Sequence, residues 1–118
     1  MFGILKTAAP SVYQNLSAAQ FGAGMRQTGA LLIDVRRPDE FAQGHLPAAL
    51  NMDVSDPDFA QRIATLDTKR PAYVYCRSGA RSAKAAKELG LAGFTHVFNL
   101  AGGMLEWPSK LGRSTLRK

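Results

Sequence analysis

Cysteine is almost absent from this sequence, with Cys76 the only one among 118 residues. A single cysteine excludes a disulfide within the chain and any metal site built from several cysteines. Histidine is also scarce, since His45 and His96 are the only two, and their positions do not have the spacing of a zinc site. We therefore expect a protein that works without a metal ion and without a cofactor.

Long apolar stretches are missing as well. The segment from Met1 to Pro10 carries Lys6 after a very short apolar patch, which is neither a signal-peptide core nor a membrane span. We predict a cytoplasmic protein with no membrane partner, because a lone cysteine also fits a reducing compartment. The length predicts one domain over residues 1–118, with a core at about 12–110 and short N-terminal and basic C-terminal extensions.

The charge is biased towards one sign, with a net charge of +6 and a pI near 9.9. Outside the tail from Lys110 to Lys118, however, the basic residues are scattered and are not interleaved with aromatic residues. A nucleic-acid partner is therefore not expected. The charge instead favours the attraction of small anions, or simply solubility.

The strongest candidate for chemistry is the stretch around Cys76. A β-branched and aromatic run ends at the cysteine, a polar loop with one glycine follows, and residues 83–89 are typical of a helix. Free amides and the helix dipole stabilise an anion at such a junction. With Arg77 and Arg81 nearby, Cys76 is predicted to be a thiolate nucleophile of lowered pKa. The alternative is an inert cysteine in the core, for which two neighbouring arginines are unfavourable.

Three blocks of the sequence resemble the rhodanese (thiosulfate sulfurtransferase) family. Residues 76–82, Cys-Arg-Ser-Gly-Ala-Arg-Ser, are similar to its active-site loop, residues 32–51 to its N-terminal signature and residues 100–107 to its C-terminal signature. The blocks occur in this order and together span most of the chain. The resemblance implies a catalytic Cys76 and a substrate-binding loop made of Arg77, Ser78, Gly79, Ala80, Arg81 and Ser82.

The resemblance also implies an activity. The Cys76 thiolate would take a sulfur atom from thiosulfate or a similar anionic donor and pass it, as a persulfide, to a thiol or cyanide acceptor. Two alternatives stay open: a sulfur-carrier or interaction module with little thiosulfate turnover, and a cysteine-dependent phosphatase or arsenate reductase. Spacing disfavours the second, because those enzymes have a C-x-x-x-x-x-R pattern and this chain has Ser82 in place of its arginine. The sequence leaves open whether Arg77 or Arg81 binds the substrate.

Asp34 is the one charged residue in an otherwise apolar run over residues 30–35. A buried carboxylate is costly unless it is paired, so we expect Arg36 or Arg81 to be its partner. The resemblance assigns Asp34, together with Arg36, a supporting role at the site. His45 is expected to make a structural hydrogen bond rather than to act as a base.

Strand and helix patterns alternate along the chain. They predict an α/β fold, a small doubly wound, mostly parallel sheet of about five strands with helices on both faces. Cys76 then lies at the carboxyl edge of the sheet, where sites form in such folds. A helix is expected to begin at Asp56 and Pro57 and to bury its apolar face. Trp107 is expected to close the core.

Overall fold

The computed structural model describes residues 12–107. Within that range, five parallel strands form one sheet in the order β1-β5-β4-β2-β3. The strands are β1 Gln14–Leu16, β2 Leu31–Asp34, β3 Leu50–Asn51, β4 Ala72–Tyr75 and β5 Val97–Leu100. The helices are α1 Ala18–Met25, α2 Pro38–Ala42, α3 Phe59–Ile63, α4 Ala80–Leu91 and a 3-10 helix, Met104–Glu106. The predicted fold class is confirmed.

Local sequence explains where the helices begin. The Ser17 hydroxyl accepts the Gln20 amide at 3.2 Å while the Gln20 side chain accepts the Ser17 amide at 3.0 Å, which closes a capping box at the start of α1. Pro38 occupies the first turn of α2, where its missing amide hydrogen costs nothing. Gly79 precedes α4 with a left-handed backbone, which brings the chain out of the loop and into the helix.

The start of α3 differs from the prediction. The Asp56 carboxylate accepts the Asp58 amide at 2.8 Å, so this aspartate closes a local turn instead of capping a helix. The helix consequently begins at Phe59 rather than at Pro57. Its apolar face is as predicted, because Phe59 and Ile63 are buried.

The two faces of the sheet carry two separate apolar clusters. Alternate residues of the central strands, such as Ile33 and Val74, point to the face covered by α3 and α4. The residues between them, such as Tyr73 and Tyr75, point to the face covered by α1 and Trp107. Helices therefore lie on both faces, as expected for a doubly wound sheet, and Trp107 closes the second cluster as predicted.

No helix within residues 12–107 combines the length and the apolar character needed to cross a membrane. The predicted N-terminal and basic C-terminal extensions lie outside the described residues.

Candidate active site

Cys76 directly follows β4, at the carboxyl edge of the sheet. The side chain is completely buried. Its strand is central in the sheet, with β2 on one side and β5 on the other, so the position of the sulfur is fixed by the rigid part of the fold. Cys76 therefore lies at the edge of the sheet where the sequence placed it.

Hydrogen-bond donors converge on the Cys76 sulfur from the loop and from the first turn of α4. The amides of Gly79 and Ser82 lie 3.1 and 3.4 Å from Sγ, and the Ser82 hydroxyl lies 3.4 Å from it. Burial by itself raises the pKa of Cys76, but hydrogen bonds from the Ser82 side chain and from the Ser82, Gly79 and Ser78 amides outweigh it, and the net pKa is lowered. The prediction named loop amides, the helix dipole and both arginines as causes of a lowered pKa, and hydrogen bonds from the loop are the largest of the causes that lower it.

Two glycines allow the loop to take this path. Gly79 has a φ of +98°, and a Cβ on it would overlap the carbonyl oxygen of Ala101. Gly103 has a φ of +62°, and a Cβ there would overlap the Arg77 carbonyl. Only glycine takes such positions without strain. The two close contacts pack the Cys76 loop against the turn that follows β5.

That turn also holds the loop through hydrogen bonds. The amide of Met104 donates to the Cys76 carbonyl and the amide of Leu105 to the Arg77 carbonyl, both at 3.0 Å. These amides belong to the start of the 3-10 helix, where they have no partner inside the helix. The C-terminal block of the sequence therefore supports the loop through its backbone, and residues 100–107 pack directly against residues 76–82.

Asp34 is fully buried and pairs with Arg36. The Arg36 Nη2 lies 2.7 Å from Asp34 Oδ2, and Nε donates to the same carboxylate at 2.9 Å. Arg36 Nη2 also donates a hydrogen bond to the Gly44 carbonyl at 2.8 Å. Of the two partners expected for Asp34, the structure therefore gives Arg36.

Arg81 is held by Glu40, a residue that the sequence reasoning did not single out. Its Nη1 and Nη2 lie 2.7 and 3.1 Å from the two oxygens of that carboxylate. The hydrogen bonds from Arg81, reinforced by the Arg37 amide, lower the pKa of Glu40 to about 2. The pair ties α2 to the start of α4. Glu40 lies inside the N-terminal signature, in the first turn of α2, and this was the only signal in the sequence that pointed to it.

Arg77 is in a different situation. The side chain is exposed, and it makes no hydrogen bond or ion pair with any other described residue. The two arginines of the loop are therefore not equivalent: Arg81 is bound in an ion pair, and Arg77 is exposed and pairs with no residue in the range 12–107.

Asn99 is a second residue that the sequence reasoning missed. It is buried on β5, and its Nδ2 donates to Asn15 Oδ1 at 3.0 Å and approaches the Gly79 carbonyl at 3.5 Å. A polar side chain in the middle of a strand was the available signal. Its contact with Gly79 supports the loop from the side of the sheet.

A pocket of about 410 Å³ opens beside the loop; we call it the loop pocket. Its polar lining includes Arg36, Glu40, Gln43 and Arg77, and its apolar lining consists of Met104, Leu105 and Trp107. Cys76 itself does not line this space. A ligand in the loop pocket would thus contact Arg77, whereas the Cys76 sulfur is buried beneath the loop.

The histidines make local contacts. His45 Nδ1 lies 3.0 Å from the Phe41 carbonyl, and its ring stacks on Phe41 with 3.6 Å between centroids. His96 Nδ1 lies 3.0 Å from the Thr95 hydroxyl. These are structural contacts, as predicted. No cluster of three potential metal ligands is found in residues 12–107.

Comparison with known proteins identifies the family. The family model of the rhodanese-like domain matches residues 17–110. The chain is 39% identical over 113 residues to the uncharacterized protein YqhL of Bacillus subtilis, covering 92% of this chain and 86% of that protein. It is 40% identical over 84 residues to the thiosulfate sulfurtransferase GlpE of Stutzerimonas stutzeri, covering 70% of this chain and 74% of that one.

Solved structures agree with this result. A rhodanese-like domain protein from Staphylococcus aureus superimposes with a TM-score of 0.70 at 23% sequence identity, over 80% of this chain and 91% of the other. At that identity the likeness supports the fold. Together with the family match, it shows that the chain belongs to the rhodanese-like domain family.

Proposed function

We propose that this protein is a sulfurtransferase that carries sulfur as a persulfide on Cys76. The observation that carries the proposal is the set of donors around the sulfur: two amides and one hydroxyl within 3.4 Å of Sγ. Such donors stabilise a thiolate, and they can stabilise the terminal sulfur of a persulfide in the same way. The similarity to a thiosulfate sulfurtransferase at 40% identity supports this chemistry.

The reaction has two displacement steps. The Cys76 thiolate attacks the outer sulfur of a donor such as thiosulfate, the sulfur–sulfur bond of the donor breaks with its electron pair on sulfite, and a Cys76 persulfide forms. A thiolate or cyanide then attacks the outer sulfur of the persulfide. This step releases an organic persulfide or thiocyanate and restores the Cys76 thiolate, so ping-pong kinetics are expected.

The site residues take separate roles in this proposal. Arg77 binds the anionic donor, because it is the loop cation without a partner among the described residues. Arg81 positions the loop through its pair with Glu40. Asp34 and Arg36 support the neighbouring segment, since Arg36 also binds the Gly44 carbonyl. None of these roles requires a metal ion or a cofactor.

The length of the loop favours sulfur over phosphoryl transfer. A phosphoryl group needs room for three oxygens around the atom under attack, whereas a persulfide places one sulfur within the ring of donors. The second arginine of the loop, Arg81, lies one position earlier than the arginine of the phosphatase pattern, and it is already paired with Glu40. Among residues 12–107, the carboxyl group that hydrogen-bonds to the Cys76 loop is that of Glu40, and its pKa of about 2 leaves it without the proton that a general acid must give to a leaving alcohol.

Intact-mass spectrometry tests the proposal. Thiosulfate should add one sulfur atom to the wild type, cyanide should remove it with formation of thiocyanate, and Cys76→Ala should show neither step. Hydrolysis of aryl phosphates is assayed in parallel, also on a variant with one glycine inserted between Gly79 and Ala80. Cys76-dependent phosphate hydrolysis by the wild type without sulfur transfer would overturn the proposal. A stable sulfur adduct without turnover would instead identify a carrier.

A further inference from the structure

The Ser82 hydroxyl has one proton and two acceptors within reach. Its Oγ lies 3.4 Å from the Cys76 sulfur and 3.2 Å from the Gly79 carbonyl oxygen. A hydroxyl has a single hydrogen to donate, so it serves one of these two atoms at a time. Whether the hydroxyl stabilises the thiolate therefore depends on what else occupies the Gly79 carbonyl.

The Gly79 carbonyl has two other donors beside it. The Ala83 amide donates to it at 3.0 Å in the first turn of α4, and Asn99 Nδ2 approaches it at 3.5 Å from β5. A carbonyl oxygen has two lone pairs. The Ala83 amide uses one of them, so Asn99 and Ser82 compete for the other. When Asn99 donates to it, the Ser82 proton is left for the Cys76 sulfur.

The surroundings of Asn99 decide which end of its side chain faces the loop. Asn99 is 2% exposed, and Nδ2 lies between two acceptors, the Gly79 carbonyl and Asn15 Oδ1, the latter at 3.0 Å. A flipped amide would place Oδ1 against the carbonyl oxygen. Oδ1 instead is buried without a hydrogen-bond partner among residues 12–107. An unpartnered buried acceptor is unfavourable, so the contribution of this residue lies in its donor end.

We infer that Asn99 is a positioning residue, which occupies the Gly79 carbonyl and thereby directs the Ser82 hydroxyl to the Cys76 sulfur. This inference rests on the proposed function, because the thiolate that the hydroxyl stabilises is the group that takes sulfur. The hydrogen bonds of Asn99 in the described chain go to Asn15 and Gly79. Asn99 therefore acts on the sulfur through the Ser82 proton.

Charged side chains of the loop and of the elements beside it are the other groups that can act on the thiolate. They are Arg77 and Arg81, Glu40 on α2, Asp34 at the end of β2 and its partner Arg36. Arg81 pairs with Glu40 and Asp34 with Arg36, while Arg77 is exposed. Neither ion pair involves Asn99, so a substitution of Asn99 leaves both in place.

The pH dependence of iodoacetamide labelling tests the inference on the intact protein, with intact mass as the readout. Asn99→Leu removes the donor and keeps a side chain that branches at Cγ. The Ser82 proton then binds the Gly79 carbonyl in the thiol form and must leave it to stabilise the thiolate. The pH of half-maximal labelling should rise by about half a pH unit, a threefold change in acidity that corresponds to about 0.7 kcal/mol. Ser82→Ala should raise it by about one pH unit.

The double variant isolates the shared proton. Ser82→Ala has no hydroxyl to direct, so adding Asn99→Leu should leave the pH of half-maximal labelling where Ser82→Ala alone places it. Additive shifts would show that Asn99 acts on Cys76 by another route and would overturn the inference. Asn99→Ala removes the same donor with a smaller side chain. It should give the same two results, so the test does not depend on how leucine fits.

Asn51→Leu is the matched control. Asn51 Nδ2 also donates to backbone carbonyls, those of Asp34 and Arg36 at 3.1 and 2.9 Å, but not to that of Gly79. Its labelling profile should have the wild-type midpoint. An equal rise in Asn51→Leu and Asn99→Leu would reduce the effect to a general loosening of the sheet edge, and the inference would be wrong.

Failure of the inference and failure of the proposed function look different. If thiosulfate places no sulfur on Cys76 of the wild type, the proposed function is wrong, whatever the labelling shows. If thiosulfate loads Cys76 but Asn99→Leu and Asn99→Ala keep the wild-type labelling profile, the inference about Asn99 is wrong. Urea unfolding of each variant checks that it is folded when it is labelled.

Discussion

Removing the Ser82 hydroxyl is the most direct perturbation of the Cys76 sulfur. Ser82→Ala deletes one donor at 3.4 Å from Sγ and keeps the amides of Gly79 and Ser82, so the loop retains its two backbone contacts to the sulfur. The Gly79 carbonyl, which the hydroxyl also approaches at 3.2 Å, keeps its bond from the Ala83 amide at 3.0 Å. The substitution is therefore expected to change the pKa of Cys76 more than the fold.

The size of the effect follows from the geometry. A hydrogen bond to a charged group contributes about 1.5 to 3 kcal/mol. The Ser82 hydroxyl is 3.4 Å from the sulfur and has a second acceptor, so a value just below this range, about 1.4 kcal/mol, applies. That free energy reduces the thiolate fraction about tenfold at acidic pH. A more basic thiolate is also about threefold more nucleophilic, because reactivity rises with roughly half the change in pKa.

These two effects give the pH profile a distinctive form. At acidic pH, Ser82→Ala should react with iodoacetamide about threefold more slowly than the wild type. At alkaline pH, where both thiols are ionised, it should react about threefold faster, so the two profiles cross. Since Cys76 is the only cysteine, intact mass reports its labelling without interference. The pH at which labelling of the wild type is half-maximal should lie below about 8.5, which is the pKa of a free thiol.

Ser78→Ala is the matched control. Ser78 is exposed in the same loop and lowers the pKa of Cys76 through its amide, which alanine retains. Its profile should superimpose on that of the wild type. If Ser82→Ala were slower or faster by the same factor at every pH, the change would be one of access to a buried sulfur. The claim that the hydroxyl stabilises the thiolate would then be refuted.

Two further predictions concern stability. Because the pKa of Glu40 is lowered to about 2 from 4.5, the folded state binds its proton less tightly than the unfolded state. Glu40→Gln should therefore lower the free energy of unfolding by about 1 kcal/mol above pH 4.5, after allowance for screening at a partly exposed pair. This loss should vanish as the pH falls towards 2. Urea titrations that show the same loss at every pH would contradict the prediction. Gly79→Ala should lower the free energy of unfolding by about 2 kcal/mol or more, since it adds a clash to a left-handed backbone. Gly29 is the control, with a φ of +91° and no atom within 4 Å of an added Cβ. Gly29→Ala should lower the free energy of unfolding by about 1 kcal/mol. An equal loss in Gly79→Ala and Gly29→Ala would show that the contact of Gly79 with Ala101 is unimportant.

Much of the fold was predictable because its signals are local. The apolar runs that became β2 and β4 are buried along their whole length, which is typical of strands inside a parallel sheet. The capping box at Ser17 and the proline of α2 are also local patterns. The start of α3 was not predicted, since an aspartate followed by proline favours both a helix cap and a turn. Only the Asp58 amide, which binds the Asp56 carboxylate, decides between them.

The pairing of charges depends on contacts that no local pattern determines. Asp34 was expected to pair with Arg36 or Arg81, and both were reasonable from the order of residues. The choice is made by Glu40, which is far from Arg81 in sequence and reaches it only because α2 lies beside the start of α4. Once Arg81 is occupied in this way, Arg36 is left for Asp34. The difference between the two loop arginines is therefore a property of the tertiary structure.

The same reasoning applies to the hydrogen-bond donors around Cys76: the sequence predicted that loop amides and arginines would lower its pKa, but not which amides reach the sulfur. An amide hydrogen is present at every residue except proline, so only the path of a loop decides which amides it aims at one atom. Here the loop does so because Gly79 turns the chain into α4 and because the turn after β5 binds the carbonyls of Cys76 and Arg77. The chemistry of this cysteine thus depends on the path of the backbone. A substitution that changes that path without changing a charge, such as Gly79→Ala, should raise the pKa of Cys76 more than the loss of Arg77 does.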